Sequence, residues 1–114
     1  MTSNNTVLNI SAYGMGKGPD ELQILLLEKY LQILDQGETF PAAICFYTEA
    51  VKLVAEGSPV LKHLIALEKK GIRLIVCSTC IRYFGLEDKV KVGIVGGMAD
   101  ILEAQNRAEK VISL

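Results

Sequence analysis

Apolar residues along the chain fall into two alternating kinds of segment, short continuous runs and longer spaced patterns. The runs "AAICF", "LIVC" and "VGIV" are apolar without alternation, which is typical of strands covered on both faces. Between them lie segments with helical spacing, such as "DELQILLLEKYLQIL" over 20–34. Strands that alternate with helices indicate βαβ units, so the pattern predicts an α/β protein with a parallel sheet.

Turn signals between these segments set the expected boundaries of the elements. The pattern predicts strands near 7–12, 41–47, 72–77, 90–95 and 110–113. It predicts helical segments over 20–34, 49–56, 58–71, 79–84 and 96–109. Ser58 is a candidate N-cap for the third helical segment. A length of 114 residues without a linker or repeat is expected to form one domain over 1–114.

The composition argues against several classes of function. The net charge is −1 without a block of like charge, so the chain lacks the basic footprint of a nucleic-acid-binding protein or a membrane-surface patch. The start "MTSNNTVLNI" does not resemble a signal peptide, and no apolar run reaches the ~20 residues of a spanning helix. We therefore expect a cytoplasmic protein. Because 50% of the residues are hydrophobic, we also expect a subunit interface.

Loops that follow the strands carry the candidate chemistry. In an open parallel sheet these loops share one edge, and ligands bind there. Tyr13, Glu49, Lys52 and the C-x-x-C segment at 77–80 are therefore expected in one neighbourhood. The glycine-rich stretch "YGMGKGPDEL" matches no phosphate-binding motif, so it is interpreted as a turn that needs positive φ.

The three cysteines are expected to differ in reactivity. Cys45 lies within an apolar strand and should behave as a small hydrophobe. Cys77 closes the run "LIV" and should be buried. Cys80 follows Ser78 and Thr79, either of which could cap the next helical turn. A position in that turn would lower the pKa of Cys80 below the free value of about 8.5, so Cys80 is the predicted reactive thiol.

The residues alone leave the role of the C-x-x-C open between a reactive thiol, a redox dithiol and simple packing. A structural zinc site needs four ligands, and the chain's three cysteines and one histidine lie on different elements, so no metal is predicted. The histidine, His63, is expected to be a solvated surface residue.

Four segments of the chain resemble the DsrE/DsrF-like sulfur-relay family. "VCSTCIRYFGL" is the most specific of them, and "GMGKGPDELQILLLEKYLQIL", "FYTEAVKLVAEGSPVL" and "GGMADILEAQNRAEKVISL" support it. The resemblance covers nearly the whole chain in order. It is strongest to the C-terminal domain of YedF-type proteins, often labelled as selenium metabolism proteins.

The resemblance implies a three-layer α/β/α fold whose five-stranded parallel sheet has the order 4-3-2-1-5, and homo-oligomers commonly built from trimers. In sulfur-relay members a cysteine after a central strand carries sulfur as a persulfide. The matching residue here is Cys80, with Cys77 as the second thiol. YedF-type proteins usually also have an N-terminal TusA-like domain. This chain starts at the DsrE-like first strand, so a TusA-like partner is expected to be a separate protein. In this chain "VGGMADI" stands before the last helix, where the resemblance implies a more polar loop.

The expected strand order has a consequence for assembly. Right-handed crossovers place the first three connections on one face of the sheet, and only the connection between the fourth and fifth strands crosses the other. We expect that second face to be undercovered in one chain and covered by a partner subunit. The first helix or the 49–56 segment should join the interface.

We therefore expect a small sulfur or selenium carrier with sulfurtransferase-like chemistry. Cys80 would accept a persulfide sulfur and pass it to an acceptor thiol, a thiol exchange that needs no cofactor. The residues expected to line the site are Tyr13, Glu49, Lys52, Thr79 and Tyr83. One alternative is a non-catalytic oligomeric module that binds a small anionic ligand at the C-terminal edge of the sheet. Another is a purely structural oligomer subunit.

Overall fold

A parallel sheet of five strands forms the centre of the molecule in a computed structural model, which describes residues 2–3 and 5–114. In chain order these strands are β2 (Thr6–Ile10), β4 (Ala43–Phe46), β5 (Arg73–Cys77), β6 (Ile94–Gly96) and β7 (Lys110–Ser113). Their spatial order is β6-β5-β4-β2-β7, which is the expected order 4-3-2-1-5. A second, two-stranded sheet pairs β1 (Thr2–Ser3) with β3 (Thr39–Phe40). The prediction of an α/β fold with a five-stranded parallel sheet is confirmed.

Helices flank the sheet on both faces. They are α1 (Asp20–Gln36), a 3₁₀ helix (Thr48–Val54), α2 (Leu61–Lys69), α3 (Ser78–Tyr83) and α4 (Met98–Arg107). The third helical segment begins later than expected: Val60 is its N-cap, while the Ser58 hydroxyl accepts a hydrogen bond from the Val60 N–H at 3.2 Å. Among the described residues, no helix combines the length and the apolar character needed to cross a membrane.

The fourth strand differs most from its predicted range of 90–95. Val90 instead forms a bridge with Ala55, and the Lys91 N–H donates to the Val54 carbonyl at 2.8 Å. Gly93 then turns the chain with a φ of 88°, and pairing with β5 begins only at Ile94. Apolar residues at 90 and 92 therefore belong to a segment that runs beside the end of the 3₁₀ helix. Hydrophobicity alone does not distinguish such a segment from a strand.

Helix α4 covers the central strands on the second face of the sheet. Its Gln105 side chain donates to the Asn9 side-chain oxygen at 3.1 Å, and the parallel register places Cys45 and Ile75 beside Asn9 on the same face. Cys45 and Ile75 are only 0% and 4% exposed. The same face stays open at its outer strands, where Ile94 in β6 and Val111 in β7 are 66% and 43% exposed. Coverage of this face by a partner subunit stays a prediction. A ten-residue helix is about 15 Å long, and neighbouring strands lie about 4.8 Å apart, so α4 can span the central strands.

Candidate functional site

Thr48 forms a junction between three strand ends at the carboxyl edge of the sheet. It lies two residues beyond the end of β4, and its backbone N–H donates a hydrogen bond to Cys80 Sγ at 3.1 Å. Its hydroxyl donates to the carbonyl of Ser11, just beyond β2, at 2.5 Å. Thr48 has a φ of 51°, the one positive φ recorded for a non-glycine residue within the described chain. A β-branched residue in this conformation is strained, and such strain is concentrated at functional sites.

Cys80 occupies a small pocket at this junction. It is the third residue of α3 and is partly exposed. The pocket has a volume of about 340 Å³ and is lined by Thr48, Glu49, Thr79, Cys80, Tyr83 and Phe84. Four residues predicted from the sequence, Cys80, Glu49, Thr79 and Tyr83, are thus brought together.

The other two predicted pocket residues line a larger neighbouring cleft. Tyr13 and Lys52 face an open cleft of about 910 Å³, and Glu49 and Phe84 border both spaces. Lys52 Nζ lies 2.6 Å from Glu49 Oε1 and 4.4 Å from the centre of the Phe84 ring. Lys52 therefore stands beside the Cys80 pocket rather than within it, with its charge already paired.

The charges along the larger cleft do not favour an anion. Its lining contains the carboxylates of Asp20, Glu49 and Glu56 and one ammonium group, that of Lys52. Like charges repel an anionic ligand, and the single cation is already bound to one of the carboxylates. The expected alternative, a module for a small anionic ligand, gains no support from this cleft.

Cys77 is buried directly behind Cys80. It ends β5, is 1% exposed and serves as the N-cap residue of α3 without a side-chain capping bond. Its thiol lies close enough to Cys80 to raise the pKa of that residue through a hydrogen bond and through charge. The expected capping by Ser78 or Thr79 is wrong, because the helix starts at Ser78, immediately after the strand.

Burial, and secondarily Cys77, raise the pKa of the Cys80 thiol above its ordinary value. The amide of Thr48 acts in the opposite direction but does not outweigh them. The expectation of a lowered pKa is therefore wrong. α3 has only six residues, so it offers one short turn of N–H groups against the loss of hydration.

Cys45 is inaccessible, as predicted. It lies mid-strand in β4 with 0% exposure, and burial raises its pKa to about 11, although Arg73 acts to lower it. Because the folded-state pKa exceeds the ordinary value of 9.0, this thiol contributes stability that is fully present below pH 9. That contribution is lost as pH rises through 11.

We expect the free energy of unfolding to fall between pH 9 and 11, with Cys45 contributing on the order of 2 kcal/mol to the fall. Urea unfolding at several pH values would measure it. In Cys45→Ala the fall should be shallower, whatever the change in stability at pH 7. An identical pH dependence in both proteins would contradict this assignment.

His63 connects two helices instead of being solvated as expected. Its Nε2 lies 3.3 Å from Glu28 Oε2 on α1, and its side chain is 13% exposed. The sequence spacing placed it at the polar margin of α2, but it could not reveal that α1 packs beside that margin. Within residues 2–3 and 5–114, no group of three or more histidine, cysteine or acidic residues is arranged to hold a metal ion.

The family model described as DsrE/DsrF-like matches residues 20–114, which include the whole Cys80 pocket. The chain belongs to the DsrE/DsrF-like family. This family is generally related to sulfur relay. Among curated protein sequences, none matches this chain significantly.

Solved structures of similar length share the fold along nearly the whole chain. The ychN protein from E. coli matches with a TM-score of 0.70 and 13% identity, over 97% of this chain and 99% of that one. MTH1491 from Methanobacterium thermoautotrophicum, a protein of unknown function, matches with a TM-score of 0.69 and 22% identity over 96% and 97%. BT1422 from Bacteroides thetaiotaomicron matches with a TM-score of 0.65 and 18% identity over 96% and 95%. At these identities the likeness concerns the fold.

Two residues of the pocket were missed by the sequence reasoning, Thr48 and Phe84. A polar residue directly after an apolar strand was a usable signal for Thr48, since such positions form the ligand-binding edge of a parallel sheet. Phe84 carried no such signal. Its contact with Lys52 depends on how α3 packs against the 3₁₀ helix.

Proposed function

We propose that this chain is a sulfur or selenium carrier that holds the transferred atom on Cys80. The observation that carries the proposal is the setting of this thiol. Cys80 is the accessible one of the three cysteines, and its sulfur accepts a backbone hydrogen bond inside a pocket at the sheet edge. Membership of the DsrE/DsrF-like family agrees with this chemistry.

Loading would begin with attack by the Cys80 thiolate on the outer sulfur of a donor persulfide. The outer sulfur moves to Cys80, and the donor leaves as a thiolate. The 340 Å³ pocket is large enough for an added sulfur atom, and the Thr48 N–H lies where it can donate to the cysteine sulfur. Unloading is the same exchange in reverse, in which an acceptor thiolate attacks the outer sulfur of the Cys80 persulfide.

The acceptor in this proposal is a thiol on a separate protein of the TusA-like, sulfur-carrying kind. The exposure of Tyr83, at 82%, leaves one wall of the pocket open to such a partner. The exchange needs free thiols, which a reducing compartment such as the cytoplasm maintains.

The test is anaerobic incubation with a small-molecule persulfide, followed by removal of the donor and intact-mass measurement. We expect the Cys77→Ser variant to gain the mass of one sulfur atom, about 32 Da, and to lose it on treatment with excess thiol. No mass gain in this variant would overturn the proposed function.

We also propose that the chain forms a homo-oligomer through the outer side of α1. Leu22, Leu25, Leu26 and Ile33 project from this side with exposures of 45%, 47%, 42% and 70%. The 49–56 segment is a poorer candidate, because its apolar residues, such as Val51 and Leu53, are already fully buried. Clustered exposed aliphatic residues on one helix are typical of protein interfaces.

Leu26→Glu and Ile33→Glu are expected to weaken this association by at least tenfold, because each introduces a charge into an apolar contact. Light scattering at micromolar protein concentration would measure the mass of the assembly for each variant and for the parent protein. Asn106→Glu, which makes the same change in charge on α4, should leave the assembly intact. A monomeric parent protein would contradict the proposal.

A further inference from the structure

The two thiols of the C-x-x-C segment differ in their exposure to solvent. Cys80, the second cysteine, faces the pocket, whereas Cys77, the first, is 1% exposed. Cys77 is the N-cap of α3 and Cys80 is its third residue. The N-cap residue and the third residue of a helix lie within one turn of each other, so this spacing allows the two sulfurs to come into contact. A side-chain hydrogen bond with Cys77 is one of the causes that raise the pKa of Cys80, which agrees with that contact.

The Cys80 sulfur can therefore be approached from two sides. A donor or an acceptor reaches it through the pocket, while the Cys77 thiol reaches it from the interior of the protein. Burial of Cys77 prevents a bulky external thiol or persulfide from reacting with it directly. Cys77 thus has one accessible reaction partner within this site, the sulfur on Cys80.

We propose that Cys77 is a resolving thiol, which releases the atom held on Cys80 as hydrogen sulfide. This step rests on the proposed carrier function, since it needs a persulfide on Cys80. It adds a second activity, the reduction of sulfane sulfur, to the transfer activity. The two activities differ in the sulfur atom that is attacked: an acceptor thiol attacks the outer sulfur of the persulfide, and Cys77 attacks the inner one.

The atoms and electrons of this step balance between the two cysteines and the outer sulfur. Cys77 Sγ attacks Cys80 Sγ, a Cys77–Cys80 disulfide forms, and the bond from Cys80 to the outer sulfur breaks. The outer sulfur leaves with the electron pair of that bond, takes the proton of Cys77 and departs as hydrogen sulfide. The two cysteines are oxidised to a disulfide and the sulfane sulfur is reduced. An external dithiol reductant then returns the disulfide to two thiols by attack at the accessible Cys80 sulfur.

The decisive experiment follows the loaded protein after the donor has been removed. Wild type, Cys77→Ser, Cys77→Ala and Cys45→Ala are loaded anaerobically with a small-molecule persulfide, desalted and sampled over time. Released sulfide is trapped with an alkylating fluorophore. Intact mass and peptide mapping follow the protein. Cys45→Ala is the matched control, because it removes the other buried thiol.

We expect wild type and Cys45→Ala to lose the added sulfur with release of an equal amount of sulfide. They should end about 2 Da below the reduced protein, with a mapped Cys77–Cys80 disulfide. The two Cys77 variants should keep the added sulfur and release sulfide at least tenfold more slowly. Unloaded wild type kept under the same anaerobic conditions should form no disulfide.

Persistence of the persulfide on wild type for as long as on the Cys77 variants would overturn this inference and leave the carrier function standing. Failure of Cys77→Ser and Cys77→Ala to load any sulfur while folded would instead overturn the carrier function. If either variant does not fold, the wild-type protein still decides the matter, because the mapped disulfide and the released sulfide are measured on it.

Discussion

Cys80→Ser is expected to abolish both the added sulfur mass and the release of sulfide, whereas Cys77→Ser keeps the added mass and Cys45→Ala behaves as wild type. The physical reason is access: Cys80 lines the pocket, while Cys77 and Cys45 are 1% and 0% exposed. Serine keeps the size and hydrogen-bonding capacity of the side chain but is a far weaker nucleophile than a thiolate at neutral pH. Intact mass after persulfide treatment measures the result. Sulfur retained on Cys80→Ser would show that another thiol carries it.

Alkylation of the native protein provides an independent measurement of the same assignment. Limited iodoacetamide labelling followed by peptide mapping should modify Cys80 at least tenfold faster than Cys77 or Cys45. Because the pKa of Cys80 is raised, its labelling rate should continue to increase with pH through pH 9 instead of levelling off near neutrality. In urea all three cysteines should label at similar rates. Faster native labelling of Cys77 would contradict the assignment.

Gly14→Ala is expected to destabilise the protein by about 3 kcal/mol or more. Gly14 has a φ of 134°, and a Cβ atom there would lie 2.3 Å from the backbone carbon of Gln23. The clash is with main chain of α1, which cannot move away as a side-chain end could. The Met15 N–H also donates to the Gln23 carbonyl at 3.0 Å, so the loop and the helix are held together at this point.

Gly16→Ala is the matched control, two residues further along the same loop. Gly16 has a φ of 78°, but an added Cβ would meet nothing within 4 Å. Only the left-handed backbone then opposes alanine, at a cost of about 1 kcal/mol. Urea unfolding followed by circular dichroism would measure both variants. Equal destabilisation at the two positions would show that conformation alone, and not the close contact with α1, requires glycine at Gly14.

This pair of glycines shows what the sequence could and could not reveal about the loop before α1. The pattern of glycines without a phosphate-binding motif predicted a turn with positive φ, and both Gly14 and Gly16 have it. The close approach of Gly14 to Gln23 was not predictable, because it depends on the direction in which α1 leaves the loop. Local conformation is encoded locally, whereas contact between elements is not.

The sheet itself was predicted well for a related reason. Continuous apolar runs between helical patterns define buried parallel strands, and family resemblance supplied their order. The prediction of the fourth strand failed because Val92 is buried and Val90 is half-buried against the end of the 3₁₀ helix and the core, rather than by pairing with β5. Burial leaves the same hydrophobic signal in either case.

What the sequence by itself determined about this protein is the α/β class, the parallel sheet, the ranking of its thiols by burial and the sheet edge that carries Cys80. Only the tertiary structure decided that Thr48 donates to Cys80, that Cys77 lies beside it, and that the pKa of Cys80 is raised rather than lowered. Each of these depends on how loops distant in sequence meet and on the water that their meeting excludes. The position of a thiol in a helix predicts how the helix dipole acts on its pKa, but the loss of hydration depends on the whole fold.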